Sequence, residues 1–277
     1  MEPKMIIYPT DFSTCAENAM PYAIAMATAL KCKIQIVHFV DASGILKSEE
    51  NPLRVLEEIK ELEIKAQNRL FRLKSNIEKS GIDCGTEVLQ GDTLSWLPKY
   101  LNEKKPCLVV MGTTGAGSVE NKVFGSNTYK VIKKTDFPVM TIPEKVSYKG
   151  FEKMIFATDY EEKDTENINF LVKLAKHYKA SIDVVHVTET AYKNEEEKHY
   201  ADNLRDEVSK TVSYGRLDYK FLYWDKIEER LEILLKESNT DLLALVERKR
   251  NFTDRLFHKS IIKKMVYHTQ VPLLIFP

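Results

Sequence analysis

The chain is poor in glycine: ten in 277 residues, and within residues 151–277 only Gly215. A loop that must bring bare backbone against a ligand needs glycine, so any such loop belongs to the first half. Cysteine is also sparse. Cys15, Cys32, Cys84 and Cys107 all lie in that same half without C-x-x-C spacing or a nearby histidine cluster, which argues against a zinc site or a disulfide framework and for inert thiols. Net charge is absent. With 41 Lys and Arg against 41 Asp and Glu, spread over both halves, there is no basic field for nucleic acid and no acidic tail. No apolar run approaches the ~20 residues of a membrane-spanning helix. The N-terminus runs almost at once into an apolar segment, which leaves no room for a signal peptide; the expectation is a soluble, cytoplasmic protein with no membrane partner. Two familiar nucleotide signatures are missing as well, the Walker A loop and the G-x-G-x-x-G fingerprint.

What is present is one organising stretch, Met111 to Ser126. It follows a short apolar run, Cys107 to Met111, that reads as a fully buried strand, and it leads into Asn127 to Lys134, which reads as a helix. Its glycines are Gly112, Gly115 and Gly125, followed by Ser126, in the spacing G-x2-G-x9-G-S. Glycine at the first two positions permits positive φ and close ligand approach, while Gly125-Ser126 opens a helix whose first N–H groups lack intrahelical partners. Such a loop can cradle phosphate. The same residues can equally serve loop geometry and helix capping alone.

The chain is written twice. Met5-Ile6-Ile7-Tyr8-Pro9-Thr10-Asp11 recurs as Met154-Ile155-Phe156-Ala157-Thr158-Asp159, and His38 falls on His186 at the same offset of 148. Later the offset becomes 134: Val109 meets Leu243, Ser126 meets Ser260 and Pro138 meets Pro272. The second copy lacks fourteen residues between its second and third strands, where the first has a long amphipathic segment, Asn51 to Lys79. Its Leu53, Leu56, Ile59, Ala66, Leu70, Leu73 and Ile77 recur at helical spacing and are expected to face the core. The first helix follows Ser13-Thr14, with Thr14 and Glu17 forming a capping box, and Pro21 implies a kink or a later start. Strand and helix alternate in each copy, which implies two tandem doubly wound α/β domains, 1–146 and 151–277, with mostly parallel sheets and helices on both faces. The brief fifth strands begin at Pro138 and Pro272, which suits a sheet edge.

On the loop spacing and the tandem pattern, the sequence resembles the universal stress protein family, whose nucleotide-binding members carry G-x2-G-x9-G-S/T between the fourth strand and the fourth helix. The resemblance covers nearly the whole chain. It implies five-stranded sheets in the order 3-2-1-4-5, with the strand order reversing between the first and fourth strands, where open α/β sheets bind ligands. It further implies ATP as cofactor, with Mg2+ or Mn2+ on its phosphates, held by Pro9, Thr10, Asp11, Phe39, Met111, Gly112, Thr114, Gly115, Gly125, Ser126, Asn127 and Thr128. In this picture Asp11 accepts from the ribose or adenine edge, backbone near Phe39 pairs with adenine, and residues 125–128 bind phosphate oxygens through N–H groups and hydroxyls. Asp11 read by itself is equally a turn or capping aspartate. The resemblance also implies that the two domains pair like the subunits of a family dimer, with a homodimer as the further option and a protein partner that the sequence does not name.

The second copy serves as a control. At the positions of Gly112, Gly115 and Gly125 it has Val246, Lys249 and Lys259, so it is expected to hold no nucleotide although Asp159 and Ser260 remain. Glu247 to Arg250 read as a solvated charged loop, and His38 and His186 as hydrogen-bonded structural residues. The leading expectation is a stress-response binding and regulatory module without a catalytic residue. The alternatives are a slow ATP hydrolase or phosphotransferase, which would need charge neutralisation and a base that the loop lacks, and a partner-binding protein that does not use nucleotide.

Overall fold

The computed structural model describes residues 4–113, 126–160, 164–188, 195–247 and 255–277. The chain divides into two compact units, Met1–Lys145 and Val146–Pro277. In unit 1 the elements are β1 (Met5–Pro9), α1 (Thr14–Leu30), β2 (Lys33–Val40), α2 (Ser43–Ser48), α3 (Pro52–Glu78), β3 (Cys84–Gln90), α4 (Thr93–Lys104), β4 (Leu108–Gly112), α5 (Ser126–Lys134) and β5 (Val139–Ile142). Their strand order is β3-β2-β1-β4-β5, and every pairing within the unit is parallel. Ile6, Ile7 and Tyr8 of β1 and Leu108, Val109 and Val110 of β4 are wholly buried. Strands whose successive residues are all buried must be covered on both faces, so an apolar run without alternation already specifies a sheet between helical layers.

Unit 2 repeats the plan with β6 (Lys153–Ala157), α6 (Asp164–Tyr178), β7 (Ser181–Thr188), α7 (Glu195–Thr211), β8 (Leu217–Tyr223), α8 (Ile227–Glu237), β9 (Leu242–Val246), α9 (Arg255–His268) and β10 (Leu273–Phe276). Its order is β8-β7-β6-β9-β10, again parallel throughout. The two units match bond for bond at the strand ends. Thr10 N donates to Val37 O as Thr158 N does to Val185 O, and Thr113 N donates to Ile142 O as Glu247 N does to Phe276 O. Those pairs fix which residue of one unit stands where in the other.

Three local expectations change. The N-cap of α1 is Ser13, whose hydroxyl accepts from Ala16 N, rather than a capping box on Thr14. Pro21 lies inside α1, which runs from Thr14 through Leu30 without a later start. The apolar stripe of α3 faces the core only in its second half: Ala66, Leu70 and Ile77 are buried, whereas Leu53 and Leu56 are 70% and 64% exposed. Length explains this. The 27 residues of α3 span roughly 40 Å, against roughly 25 Å for the strands beneath it, so its first turns have no sheet to cover. In unit 2 the corresponding helix has 17 residues, a length that fits its sheet, with Leu204 and Val208 buried.

Candidate functional site

The site lies at the carboxyl ends of β1 and β4, where the strand order of unit 1 reverses. A cleft of about 650 Å³, part of it open to solvent, is lined there by Pro9, Thr10, Asp11, Ala16, Phe39, Thr93, Leu94, Met111, Gly112, Thr113, Asn127, Thr128 and Val131. Eight of the residues expected from the sequence therefore come together: Pro9, Thr10, Asp11, Phe39, Met111, Gly112, Asn127 and Thr128. Thr114, Gly115 and Gly125 lie outside the described residues, and Ser126 is described only as the first residue of α5. Sequence reading missed Ala16, Thr113 and Val131, and also Thr93 and Leu94 at the start of α4. The last two carried a usable signal: Asp92 ends the turn after β3 and caps α4, its side chain accepting from Ser95 N at 2.9 Å, which marks a helix opening beside the same crevice.

The turn after β1 is held from three sides. Thr10 Oγ1 accepts from Phe12 N at 3.0 Å, and His38 Nδ1 donates to Thr10 O at 2.7 Å. Phe12 adopts left-handed backbone, φ 61°, with its ring 4.4 Å from the His38 ring and the Arg69 guanidinium 4.1 Å from its face. Arg69 also donates to Phe12 O at 3.2 Å. His38 is thus a structural residue. Burial is the main cause that holds its pKa below the ordinary value, against the opposing pull of the Thr10 carbonyl. Asp11, exposed at the lip, accepts from Ser13 N at 3.0 Å and Ser13 Oγ at 2.6 Å, so one carboxylate oxygen does serve the turn.

Phe39 contributes backbone direction as well as a ring. Val37 O accepts from Thr10 N on one side of β2 and Val40 O from Gly91 N on the other. In a parallel strand successive residues address opposite neighbours. The N–H and C=O of Phe39 therefore point past the end of β1, toward the cleft.

Gly112 and Thr128 play parts other than those expected. Gly112 does not have positive φ; a Cβ added there would lie 2.7 Å from Cys15 Sγ and 2.8 Å from Cys15 O. Close packing of the β4 end against α1 therefore demands glycine, whatever the ligand. Thr128 is buried, and its hydroxyl proton goes to Gly112 O at 3.1 Å or Thr113 O at 3.3 Å, which ties the first turn of α5 to the end of β4. A hydroxyl has one proton, so Thr128 Oγ1 is not left to donate to a phosphate.

Unit 2 builds the same corner differently. Thr158 Oγ1 again accepts from the residue two ahead, Tyr160 N, at 2.8 Å, and His186 Nδ1 again donates to Thr158 O at 2.8 Å. At the position of Ala16, however, stands Asp164, fully buried and accepting from Thr158 Oγ1 at 2.5 Å. Val246 replaces Gly112, and Glu247 replaces Thr113 with 4% exposure. The expectation of a solvated loop from Glu247 onward therefore fails at Glu247; residues 248–250 lie outside the described ones. Among the described residues no three His, Cys, Asp or Glu side chains are grouped to hold a metal, and no helix is long and apolar enough to cross a membrane.

Comparison with known proteins agrees with this architecture. The chain is 31% identical over 141 residues to Universal stress protein MJ0531 of Methanocaldococcus jannaschii, covering 50% of this chain and 81% of that protein. To Universal stress protein MJ0577 of the same organism it is 27% identical over 157 residues, 52% of this chain and 97% of that one. The crystal structure of a universal stress protein from Archaeoglobus fulgidus DSM 4304 superposes with a TM-score of 0.76 at 15% identity, covering 100% of this chain and 99% of the other, which speaks to fold. The model of the Universal stress protein family matches twice, over residues 3–143 and 150–277, and the chain belongs to that family.

Proposed function

We propose that unit 1 binds an adenine nucleotide, ATP with Mg2+ or Mn2+ on its phosphates, and that unit 2 does not. The observation that carries this reading is the cleft at the strand reversal, lined by eight residues that the sequence had singled out. The backbone of Phe39 faces the cleft with one donor and one acceptor in line, which suits an adenine edge, and the apolar ring of Phe39 and the side chains of Leu94 and Val131 suit its faces. Asp11 stands at the lip of the cleft, where a carboxylate suits a ribose hydroxyl. The first turn of α5, at Ser126, Asn127 and Thr128, offers N–H groups to phosphate oxygens. None of the described lining residues is a lysine or arginine, so the divalent cation supplies the charge neutralisation. That cation would sit on the phosphates rather than in a protein cage.

The protein acts as a cytoplasmic binding and regulatory module, with hydrolysis slow or absent. Phosphoryl transfer needs cations and a positioned base around the γ-phosphate, and Asp11, the carboxylate of the described lining, already accepts two hydrogen bonds from Ser13. Titration calorimetry of the full chain with ATP and Mg2+ tests the reading: one site per chain is expected, with an adenine nucleotide released from the freshly purified protein and seen by mass spectrometry. No heat, no thermal shift and no released nucleotide would overturn it.

A further inference from the structure

At the opposite end of the unit 1 sheet two cysteines 75 positions apart meet. Cys32 stands one residue before β2 and Cys107 one residue before β4, on either side of β1, with their sulfurs 3.2 Å apart. Cys107 N donates to Met5 O and Lys33 N to Lys4 O, so both backbones are pinned to the start of β1. Unit 2 shows that the fold does not require thiols there. Its matching residues are Ala180 and Asp241, and the Asp241 carboxylate accepts from Glu152 N at 2.7 Å and Lys153 N at 2.9 Å.

We infer that Cys32 and Cys107 form an oxidisable dithiol, a modification site at which a hydroperoxide closes an intrachain disulfide across the start of β1. The Cys32 thiolate attacks one peroxide oxygen, the O–O bond breaks, and Cys32 becomes a sulfenic acid as one water leaves. Cys107 sulfur then attacks the Cys32 sulfur, its proton leaves with the displaced hydroxide as a second water, and the S–S bond forms. One peroxide is reduced and two thiols are oxidised. Both residues stand outside the ladders of β2 and β4, so closing 3.2 Å to a bond of about 2.05 Å asks only a small shift of two turn residues.

The surroundings favour this pair over the other two cysteines. The hydrogen bond with Cys107 is the main cause that lowers the Cys32 pKa, aided by the Lys4 ammonium, and the same contact raises that of Cys107, so Cys32 is the thiol of the pair that ionises first. Cys84 is pushed up to about 12 by burial. Cys15 is buried behind Gly112. Cys32 is 7% exposed and Cys107 more open, enough for a molecule as small as hydrogen peroxide.

The test treats the full chain with hydrogen peroxide and maps its thiols. The expected product is a monomer lighter by two hydrogens, with two of the four thiols lost, a peptide joining Cys32 to Cys107, and reversal by dithiothreitol. The chain-entropy account of a loop this long gives a melting temperature for the oxidised form higher by roughly 10–20 °C. Cys32→Ser and Cys107→Ser each abolish the cross-link, while Cys84→Ser keeps it. The proposal is overturned if both thiols remain open to alkylation after peroxide, if the cross-link joins other cysteines or two chains, or if Cys32 goes directly to the sulfinic acid. The wild-type peptide map decides the matter even if a serine variant fails to fold.

Discussion

Thr10 of unit 1 and Thr158 of unit 2 sit in the same turn, with the same histidine behind them, and face different neighbours. Beside Thr10 are Ala16, Gly112 and Thr113; beside Thr158 are Asp164, Val246 and Glu247. Unit 1 leaves a cleft. Unit 2 puts two buried acidic side chains and a branched one there, and a phosphate brought to that corner would have to displace them. Two copies of one fold thus show which features serve the fold and which are free to serve a ligand. The turn after the first strand, with its Thr, αL aromatic and His, is common to both and therefore structural. Ala16 and Thr113 are what unit 1 has alone.

The comparison breaks first at Gly112. Gly112→Val copies unit 2 but drives a side chain into Cys15, whose backbone carbonyl cannot move without shifting α1, so unit 1 should lose about 3 kcal/mol of stability, measured by urea unfolding. Unchanged stability would mean that the strand end and the helix are not packed as described. Ala16→Asp copies the other difference. Unit 2 folds with that aspartate, so the fold should survive while ATP affinity falls at least ~100-fold, about 2.7 kcal/mol; calorimetry with undiminished affinity would show that the cleft around Thr10 is not where nucleotide sits.

A smaller effect belongs to unit 2 alone. Asp183 of β7, 3.2 Å from Lys153 Nζ and 2.7 Å from Lys220 Nζ, stands where unit 1 has Gln35. Asp183→Asn removes the buried carboxylate that two part-exposed ammonium groups share, and unit 2 should lose about 1–2 kcal/mol, the exposure of both lysines limiting the loss. A denaturation midpoint equal to that of the wild type would remove the pair from the account.

The smallest effect is one of pH. Burial lowers the His38 pKa in the folded chain, so the unfolded chain takes up the proton first as pH falls. The contribution of His38 is then full above about pH 6.5 and is lost as pH drops from there through the folded value. His38→Gln should flatten that part of the melting-temperature profile between about pH 7 and 5; an unaltered slope would assign the dependence elsewhere.

Much of this was legible in the sequence. Short apolar runs without alternation mark the buried strands, two constant offsets mark the repeat, and the strand order implied by the family resemblance, together with the reversal rule, brings Asp11 and Gly112 to one crevice. What periodicity and spacing cannot carry is depth and reach. The stripe of α3 gave its face but not the length of the sheet below it, so Leu53 and Leu56 were misplaced. Gly112 does line the cleft, but the packing that demands glycine there is invisible in the sequence, because its clash partner, Cys15, is distant in sequence and belongs to another element. Ala16 and Asp164 lie among ordinary helix residues and gain meaning only once the helix start is set beside Thr10 or Thr158. Cys32 and Cys107 share no local pattern, and only the parallel register of β2, β1 and β4 brings them together.

Hydrogen exchange followed by mass spectrometry, with and without ATP and Mg2+, tests the difference between the units most directly. Amides of residues 10–12, 39–40, 112–113 and 126–128 should slow on addition of nucleotide while those of 157–160 and 246–247 do not change; protection in the second set, or in neither, would contradict the assignment of the nucleotide to unit 1.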